Sequence, residues 1–271
     1  MKIVAIAMAR NEADIIEEGV REALRWVDDF VIYDHGSTDG TGALAERAGA
    51  IVLPGDPDLP FDESLRQYTL DAAGELNPDW VMRIDVDEIY HHTPDLRQTL
   101  RHAYAAGAFC VRAWQMEFWI TLDDVRRGLL LEDERVSIQK RRRWYTSGHM
   151  AMVAWRHLPE LRYYPGQRQN VPLDPQRRDV SRLGPCHSTH LVQRHYNCRS
   201  LRQLLLRMRE RTDHQTFGKY RYNLILDEQI GLHHLGPDER FSFQDNHHVV
   251  YRWYEKSLEM FRERMKEAGE Q

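Results

Sequence analysis

The sequence has little cysteine, no C-x-x-C pair and no excess of basic residues, and each of these absences excludes a class of protein. The three cysteines are Cys110, Cys186 and Cys198. A disulfide framework is therefore not expected, and a reducing cytoplasm is the expected location. The formal net charge is −5, from 37 basic and 42 acidic residues. General nucleic-acid-binding proteins are usually basic, so nucleic acid is not an expected partner.

Long hydrophobic runs are also missing. The apolar segment at residues 3–9 leads directly into Arg10, Asn11 and Glu12. It is too short for a signal peptide and far shorter than the roughly 20 residues that span a bilayer. We therefore expect no membrane-spanning segment, while peripheral membrane contact and a homodimer stay open.

The composition is that of a globular protein with a sizeable core. The chain has 271 residues, of which 42% are hydrophobic and 29% charged. Since a domain usually has about 100–200 residues, this length suits one large domain or two fused lobes.

The first part of the chain alternates between strand and helix signals. Short apolar runs predict buried strands, and longer segments with helical periodicity lie between them. The expected strands are residues 2–8, 30–33, 50–53 and 80–85, and the expected helices are 13–27, a segment ending near 48, and 61–76. Ser37 or Thr38 would cap the second helix. This alternation predicts an α/β fold with a mostly parallel sheet flanked by helices.

The second part is less regular. Strands are expected at residues 108–119, 135–140 and 150–155, and helices at 200–211 and 249–266. Residues 159–185 lack periodicity, which is typical of a functional lid or a disordered loop. We therefore predict a nucleotide-binding lobe at residues 1–107 and an acceptor-binding lobe at 108–271 within one compact domain.

Polar residues follow three of the predicted parallel strands. Arg10-Asn11-Glu12 follows the first, Asp34 ends the second, and Asp85-Val86-Asp87-Glu88 follows the fourth. Ligands of such sheets bind outside the carboxyl ends of the strands, so these groups are expected to form one site. Asp85 and Asp87 would point to the same side of an extended segment and hold Mg²⁺ or Mn²⁺. The alternative is an acidic turn that faces water.

The other residues of this edge have competing roles. Asp34 could accept a hydrogen bond from a base or a ribose hydroxyl, or it could cap the turn after it; Asp39 suits a cap better. Arg10 could meet a phosphate or the base, or pair with Glu12 or Asp14. Arg83 is expected to pair with a nearby carboxylate, with phosphate contact as the alternative.

Three motifs in this order resemble family-2 glycosyltransferases: residues 9–18 (ARNEADIIEE), 33–41 (YDHGSTDGT) and 83–88 (RIDVDE). The resemblance implies a GT-A type, Rossmann-like nucleotide-sugar-binding fold. It also implies that Asp34 contacts the nucleoside, and that Asp85 and Asp87 form the metal-diphosphate motif. Such enzymes invert the anomeric centre and use a carboxylate as general base. His35 departs from the usual Asp-Asp-Gly-Ser turn, so one potential ribose or base contact is changed.

The general base is not identified by the sequence. The candidates are Glu117, Asp133, Glu134 and Asp179, and proton abstraction requires one of them within hydrogen-bond reach of the acceptor. The segment with Cys186, His187, His190, His195 and Cys198 could be a structural zinc site or a set of ordinary histidines. We favour a third reading, in which His195 returns to the active-site metal. The basic run at residues 140–143 is expected to be a solvated strand end, with phosphate binding as the alternative.

The sequence thus predicts a Mn²⁺- or Mg²⁺-dependent glycosyltransferase. Its donor would be a UDP-, GDP- or dTDP-sugar, bound by Arg10, Asn11, Glu12, Asp34, Arg83 and Asp85, and its metal would be held by Asp85, Asp87 and His195. The acceptor would be a hydroxyl group of a glycan, a lipid-linked molecule or a small molecule. The rivals are a sugar nucleotidyltransferase and a non-catalytic nucleotide-binding protein of the same fold.

Overall fold

The structure, a computed structural model, describes residues 1–128, 136–167, 169–197, 199 and 226–250. Its strands are β1 (Ile3–Ala9), β2 (Asp29–Asp34), β3 (Ile51–Pro54), β4 (Trp80–Arg83), β5 (Glu88–Tyr90), β6 (Cys110–Trp119), β7 (Trp144–Arg156), β8 (Cys186–His195) and β9 (His233–His234). Its α-helices are α1 (Ile16–Ala23), α2 (Thr41–Ala48), α3 (Arg66–Glu75), α4 (Leu96–Ala105), α5 (Leu122–Arg126) and α6 (Ile138–Arg141). Short 3-10 helices lie at Glu63–Leu65, Val180–Arg182 and Glu228–Ile230.

The first four strands form the predicted parallel sheet. β1 pairs in parallel with β2 on one side and β4 on the other, and β2 pairs in parallel with β3. The register places Ala9 opposite Asp34, so the loops after β1 and β2 leave the sheet at the same edge. The α/β class with a Rossmann-like parallel half is therefore confirmed.

The sheet continues beyond β4 with strands from the second part of the chain. The order is β3-β2-β1-β4-β7-β6-β8-β5. β7 runs antiparallel to β4, with Trp80 opposite Arg156. A strand here agrees with the sequence-based expectation for residues 150–155.

The chain divides into two compact units, and β6, β7 and β8 contribute residues to both. The first unit comprises Met1–Gln115 and His149–Arg194; the second comprises Met116–Gly148 and His195–Gln271. The first has a core in which Ile6, Val31, Val81 and Trp155 are fully buried. The second has a smaller core around Trp119, Ile120 and Leu226. The assignment of residues 1–107 to the donor and 108–271 to the acceptor stays a prediction.

Some local expectations are wrong. The described part of residues 135–140 contains the start of α6 and not a strand, because Ser137 caps a helical turn there. α2 is capped by Gly40 in the left-handed region, where glycine has no Cβ to clash, and neither Ser37 nor Thr38 caps it. The predicted helices at 200–211 and, beyond residue 250, at 249–266 lie outside the described residues.

The segment expected to be a lid or disordered is packed against the first core. Leu161, Tyr163, Val171 and Val180 are buried in it. The backbone N–H of Tyr163 also donates to Gln67 of α3, and that of Gly166 donates to Asp62. The segment has no periodic pattern because single apolar side chains, separated by polar turns, hold it to the core.

Within the described residues, no helix has both the length and the apolar character that crossing a membrane requires.

Candidate functional site

The loops after β1 and β2 are joined by hydrogen bonds. The N–H of Asn11 donates to Ser37 Oγ at 2.9 Å, and the N–H of Thr38 donates to Asn11 Oδ1 at 2.9 Å. The N–H of Glu12 donates to Thr41 Oγ1 at 2.8 Å. Asn11 adopts a φ of 53°, a conformation that asparagine tolerates better than most residues. The loops after β1 and β2, which carry two of the three predicted strand-end motifs, are therefore joined into one edge by these hydrogen bonds.

Asp34 lies at the end of β2 and is partly exposed. Its Oδ1 accepts a hydrogen bond from the N–H of Ser37 at 3.0 Å, so Asp34 caps the turn that follows it. Its Oδ2 faces α2, where a Cβ added to Gly42 would come within 2.5 Å of it. The carboxylate thus has a fixed position at the edge.

Asp39 and His35 stabilise the same loop, Asp39 from the surface and His35 from the interior. Asp39 accepts from the N–H of Thr41 and from that of Ala13, which confirms its role as a cap. His35 is buried, and its Nε2 lies 2.8 Å from the carbonyl oxygen of Leu59. His35, which departs from the Asp-Asp-Gly-Ser turn, is therefore held in place by the loop after β3.

Arg10 is the exposed cation of this edge. It forms no ion pair with a carboxylate of any described residue, so pairing with Glu12 or Asp14 is not observed. Contact of Arg10 with a phosphate or a base stays a prediction.

The Asp85–Glu88 segment is a tight turn, and the expectation of an extended segment is wrong. β4 ends at Arg83, and the N–H of Glu88 donates to the carbonyl oxygen of Asp85 at 2.9 Å. Asp85 is partly exposed, with 26% of its side chain accessible, whereas Asp87 is buried. The alternation argument for the two carboxylates therefore does not apply, and their relation is set by the turn.

Two buried arginines hold the Asp85 carboxylate. Arg66 Nη1 donates to Oδ1 at 3.1 Å, and Arg83 Nη1 donates to Oδ2. Their side chains are only 7% and 4% exposed. The expected pairing of Arg83 with a carboxylate is confirmed. Arg66 is a site residue that sequence reasoning missed.

The charges of these arginines are fixed by their neighbours. Burial works against the charge of Arg66, but Asp85 and Glu63 outweigh this effect and raise its pKa. Burial likewise opposes the charge of Arg83, and Glu88 and Asp85 raise its pKa. Both groups are therefore permanent cations beneath the turn.

Glu88 is a buried carboxylate with partners on several strands. Its Oε1 accepts from Gln115 Nε2 of β6 at 2.9 Å, and its Oε2 accepts from Gln193 Nε2 of β8 at 2.7 Å. Oε2 also accepts from the N–H of Asp85 at 2.8 Å, and Arg83 Nη1 lies 3.6 Å from Oε1. The sequence places Glu88 at the predicted sheet edge but does not indicate these contacts.

The charge balance of this group suits a divalent cation. Arg66 and Arg83 face the carboxylates of Glu63, Asp85 and Glu88, and Asp87 in the same turn adds a fourth carboxylate. These six residues carry two more negative charges than positive ones. Each carboxylate oxygen has two lone pairs, so Asp85 can accept from the arginines and still offer oxygen ligands. The oxygen donors are of the hard type that Mg²⁺ or Mn²⁺ prefers, although Asp85, Asp87 and His195 do not form a group of three closely spaced ligand atoms within the described residues.

Helix α1 packs directly against the turn through Gly19. A Cβ at this position would lie 2.2 Å from the carbonyl oxygen of Val86. We expect Gly19→Ala to destabilise the protein by about 1 kcal/mol or more in denaturant unfolding. The clash with a backbone atom costs about 1–3 kcal/mol, which exceeds the gain of up to about 1 kcal/mol in helix propensity. Arg21→Ala on the exposed face of α1 should change stability by less than about 0.5 kcal/mol, and equal effects of the two changes would contradict the close approach.

The candidate base residues lie in different places. Glu117, on the part of β6 that belongs to the second unit, is buried, and its Oε2 lies 3.6 Å from His247 Nε2. Asp179 belongs to the first unit and accepts from the N–H of Ser181, as the cap of a 3-10 helix. Asp133 and Glu134 lie outside the described residues. The choice among the four stays open.

The predicted zinc cluster does not form within the described residues. Cys186, His187 and His190 belong to no group of three metal-binding side chains there. All three lie on β8, where adjacent residues point to opposite faces and four residues span about 13 Å. Cys186 instead contacts Cys110, and burial together with this contact raises the pKa of the Cys110 thiol. Cys198 lies outside the described residues.

His195 is the last residue of β8 and belongs to the second unit. One of its ring nitrogens, Nδ1, lies 3.1 Å from Asn197 Nδ2. Its assignment to the metal stays a prediction.

The basic run at residues 140–143 is not a solvated strand end. Arg141 and Arg142 are buried in the second unit. Arg142 donates to the carbonyl oxygen of Arg199 and lies 3.8 Å from the buried Asp124. Half of the run is therefore internal, because the guanidinium of Arg142 neutralises a buried carboxylate and donates to a carbonyl group.

No family model matches this chain. Among curated proteins, it is 30% identical over 105 residues to an uncharacterized glycosyltransferase of Rickettsia felis, which covers 39% of this chain and 35% of that protein. It is 33% identical over 89 residues to a TPR repeat-containing protein of Synechococcus elongatus, which covers 32% of this chain and 21% of that protein. The chain thus spans about a third and about a fifth of the lengths of these two relatives.

Solved structures share a loose likeness. A glucosyl-3-phosphoglycerate synthase of Mycobacterium tuberculosis in complex with phosphoglyceric acid aligns with a TM-score of 0.42 and 17% identity, over 72% of this chain and 71% of that one. The same enzyme with Mn²⁺, UDP-glucose and phosphoglyceric acid aligns with a TM-score of 0.38 and 21% identity, over 61% of each chain. The similarity in sequence is the firmer finding: over its matched residues this chain is similar to a glycosyltransferase, which confirms the resemblance that the three motifs indicated.

Proposed function

We propose that this chain is a metal-dependent glycosyltransferase that moves a sugar from a nucleoside-diphosphate sugar to a hydroxyl acceptor with inversion. The observation that carries the proposal is the edge formed after β1 and β2, with the carboxylate turn after β4. Asn11, Ser37, Thr38 and Thr41 tie the first two loops together. The turn after β4 supplies carboxylates whose negative charge exceeds the positive charge of the two arginines that face them. Such an edge can take a nucleoside diphosphate together with a divalent cation.

Within this proposal, each residue has a distinct role. Asp34 accepts a hydrogen bond from the base or the ribose, and Arg10 contacts the base or a phosphate. Asp85 and Asp87 hold the cation, with His195 as a further ligand. The cation, when bound, offsets the negative charge of the departing diphosphate. The chain's own contribution is to position the donor and to exclude water from the reacting carbon.

The acceptor hydroxyl must lose a proton as the new bond forms. A carboxylate among Glu117, Asp133, Glu134 and Asp179 would take it. Glu117 is supported by its burial in the second unit and by its neighbour His247. Asp179 already accepts hydrogen bonds from Ser181, which occupy its Oδ1.

The similarity to the Rickettsia glycosyltransferase supports the type of reaction. The rivals make different products: a sugar nucleotidyltransferase releases pyrophosphate, whereas a glycosyltransferase releases a nucleoside diphosphate. A non-catalytic nucleotide-binding protein would bind the ligand and release neither.

The first test is calorimetric titration of the protein with UDP, GDP, dTDP and ADP, each with and without Mn²⁺. We expect one of these diphosphates to bind and its binding to require the metal. A parallel assay with the matching nucleotide-sugars should detect free nucleoside diphosphate and no pyrophosphate. Failure of all four diphosphates to bind under either condition would remove the main support for the proposal.

A further inference from the structure

We propose that Glu88 is a positioning residue for the cation, acting through the Asp85–Asp87 turn without contacting the metal. The inference rests on the proposed function, because it assigns a role toward the metal of that same site. It concerns a buried residue that has no predicted part in binding the donor or the acceptor.

The turn is closed twice by Glu88. Its N–H donates to the carbonyl oxygen of Asp85 at 2.9 Å, and its Oε2 accepts from the N–H of Asp85 at 2.8 Å. These reciprocal hydrogen bonds fix both backbone polar groups of Asp85. The direction in which the Asp85 side chain leaves the backbone is therefore set by Glu88.

The Glu88 carboxylate is itself held in place by side chains from β6 and β8. Gln115 and Gln193 donate to different oxygens of it, and Arg83 approaches Oε1 to 3.6 Å while also donating to Asp85. Glu88 and Arg83 thus connect the turn to three strands of the sheet. A carboxylate anchored in this way can impose one geometry on the turn above it.

A glutamine at this position could not reproduce these contacts. It has nearly the same shape as glutamate, but one of its two acceptor oxygens is replaced by an NH₂ donor. The groups that face Glu88 are donors, namely Gln115, Gln193, Arg83 and the N–H of Asp85. Glu88→Gln therefore removes the negative charge that faces Arg83 and requires Gln115 or Gln193 to turn its amide over, which loosens the turn without changing the volume of the core.

The test measures Mn²⁺ affinity directly, from the loss of the free-Mn²⁺ signal in electron paramagnetic resonance, with the metal alone as probe. We expect Glu88→Gln to raise the Kd for Mn²⁺ by about 10–100-fold, the usual effect of losing a residue that orients metal ligands. The matched control is Asp28→Asn, which removes the same charge at the opposite edge of the first unit, where Asp28 accepts from the N–H of Ile3. Its Kd should stay within about threefold of the wild-type value.

A second variant keeps the test decisive if Glu88→Gln does not fold. Gln115→Met removes one donor to Glu88 and leaves the carboxylate in place, and it should raise the Kd about three- to tenfold. Wild-type Mn²⁺ affinity in a folded Glu88→Gln protein, or in Gln115→Met where Glu88→Gln is unfolded, overturns the inference and leaves the proposed function standing. A wild-type protein that binds no Mn²⁺ overturns both. An equal loss of affinity in Asp28→Asn would show an effect of overall charge and also overturn the positioning role.

Discussion

Asp87→Asn is expected to lower kcat by about 10²–10³-fold while the protein stays folded. The substitution keeps the size of the side chain and removes one of the two carboxylates proposed to hold the cation. The loss of a preorganised group that stabilises developing charge typically costs this factor. Asp85 is less suitable for this test because it holds Arg66 and Arg83, so that its replacement changes stability and chemistry together. The measurement is steady-state release of nucleoside diphosphate at saturating Mn²⁺.

The control for this prediction is Asp58→Asn. Asp58 is exposed on the loop after β3, and its replacement should leave kcat unchanged within about twofold. Circular dichroism and the unfolding midpoint of both variants establish that the fold is retained. If Asp87→Asn turns over at the wild-type rate with the same dependence on Mn²⁺, the carboxylate turn is not the metal site.

The parallel half of the sheet could be predicted from the sequence because its signals are local. Short apolar runs at β1, β2 and β4 are buried on both faces, and their short length and alternation with helical segments identify them as parallel strands. The loops at their ends were located in the same way. Any residue that follows a parallel strand lies at the carboxyl edge, whatever its identity.

The interior of the site could not be predicted because its contacts are remote in sequence. Arg66 lies 19 positions from Asp85, on a helix whose other side chains give no indication of a buried charge. Glu88 is 27 positions from Gln115 and 105 from Gln193. Whether a glutamine on a strand faces a buried carboxylate depends on the order of strands in the sheet, and that order could not be inferred from the local sequence patterns.

The prediction that the carboxylate motif is extended was wrong for a related reason. The expectation of an extended Asp-Val-Asp segment rested on continuing the apolar strand before it, although aspartate is uncommon in strands. The turn forms instead because Glu88, three residues after Asp85, supplies both a backbone donor and a side-chain acceptor to close it. A local hydrogen-bonding partner outweighed the period-two pattern.

Arg83→Met should lower the free energy of unfolding by about 3–5 kcal/mol, the largest change in stability expected for any residue of the site. Arg83 is almost fully buried and serves both Asp85 and Glu88. Methionine fills much of the same volume, so the main effect is that the buried Glu88 loses the cation that faces it, while the partly exposed Asp85 keeps only Arg66. Removing one partner of a buried ion pair typically costs this amount because the remaining charge is uncompensated. Denaturant unfolding followed by circular dichroism measures the difference.

Two comparisons separate this explanation from simple loss of packing. Arg21→Met breaks an exposed ion pair with Glu17 on α1, and it should cost less than about 1 kcal/mol. Adding Asp85→Asn to Arg83→Met removes the other member of the Arg83–Asp85 ion pair, so the double variant should be more stable than the sum of the single effects predicts. Strict additivity would mean that Arg83 stabilises the protein through its aliphatic part alone. A positive coupling would instead show that the turn is held at its position by charge, which is the property that a site for a divalent cation and a diphosphate requires.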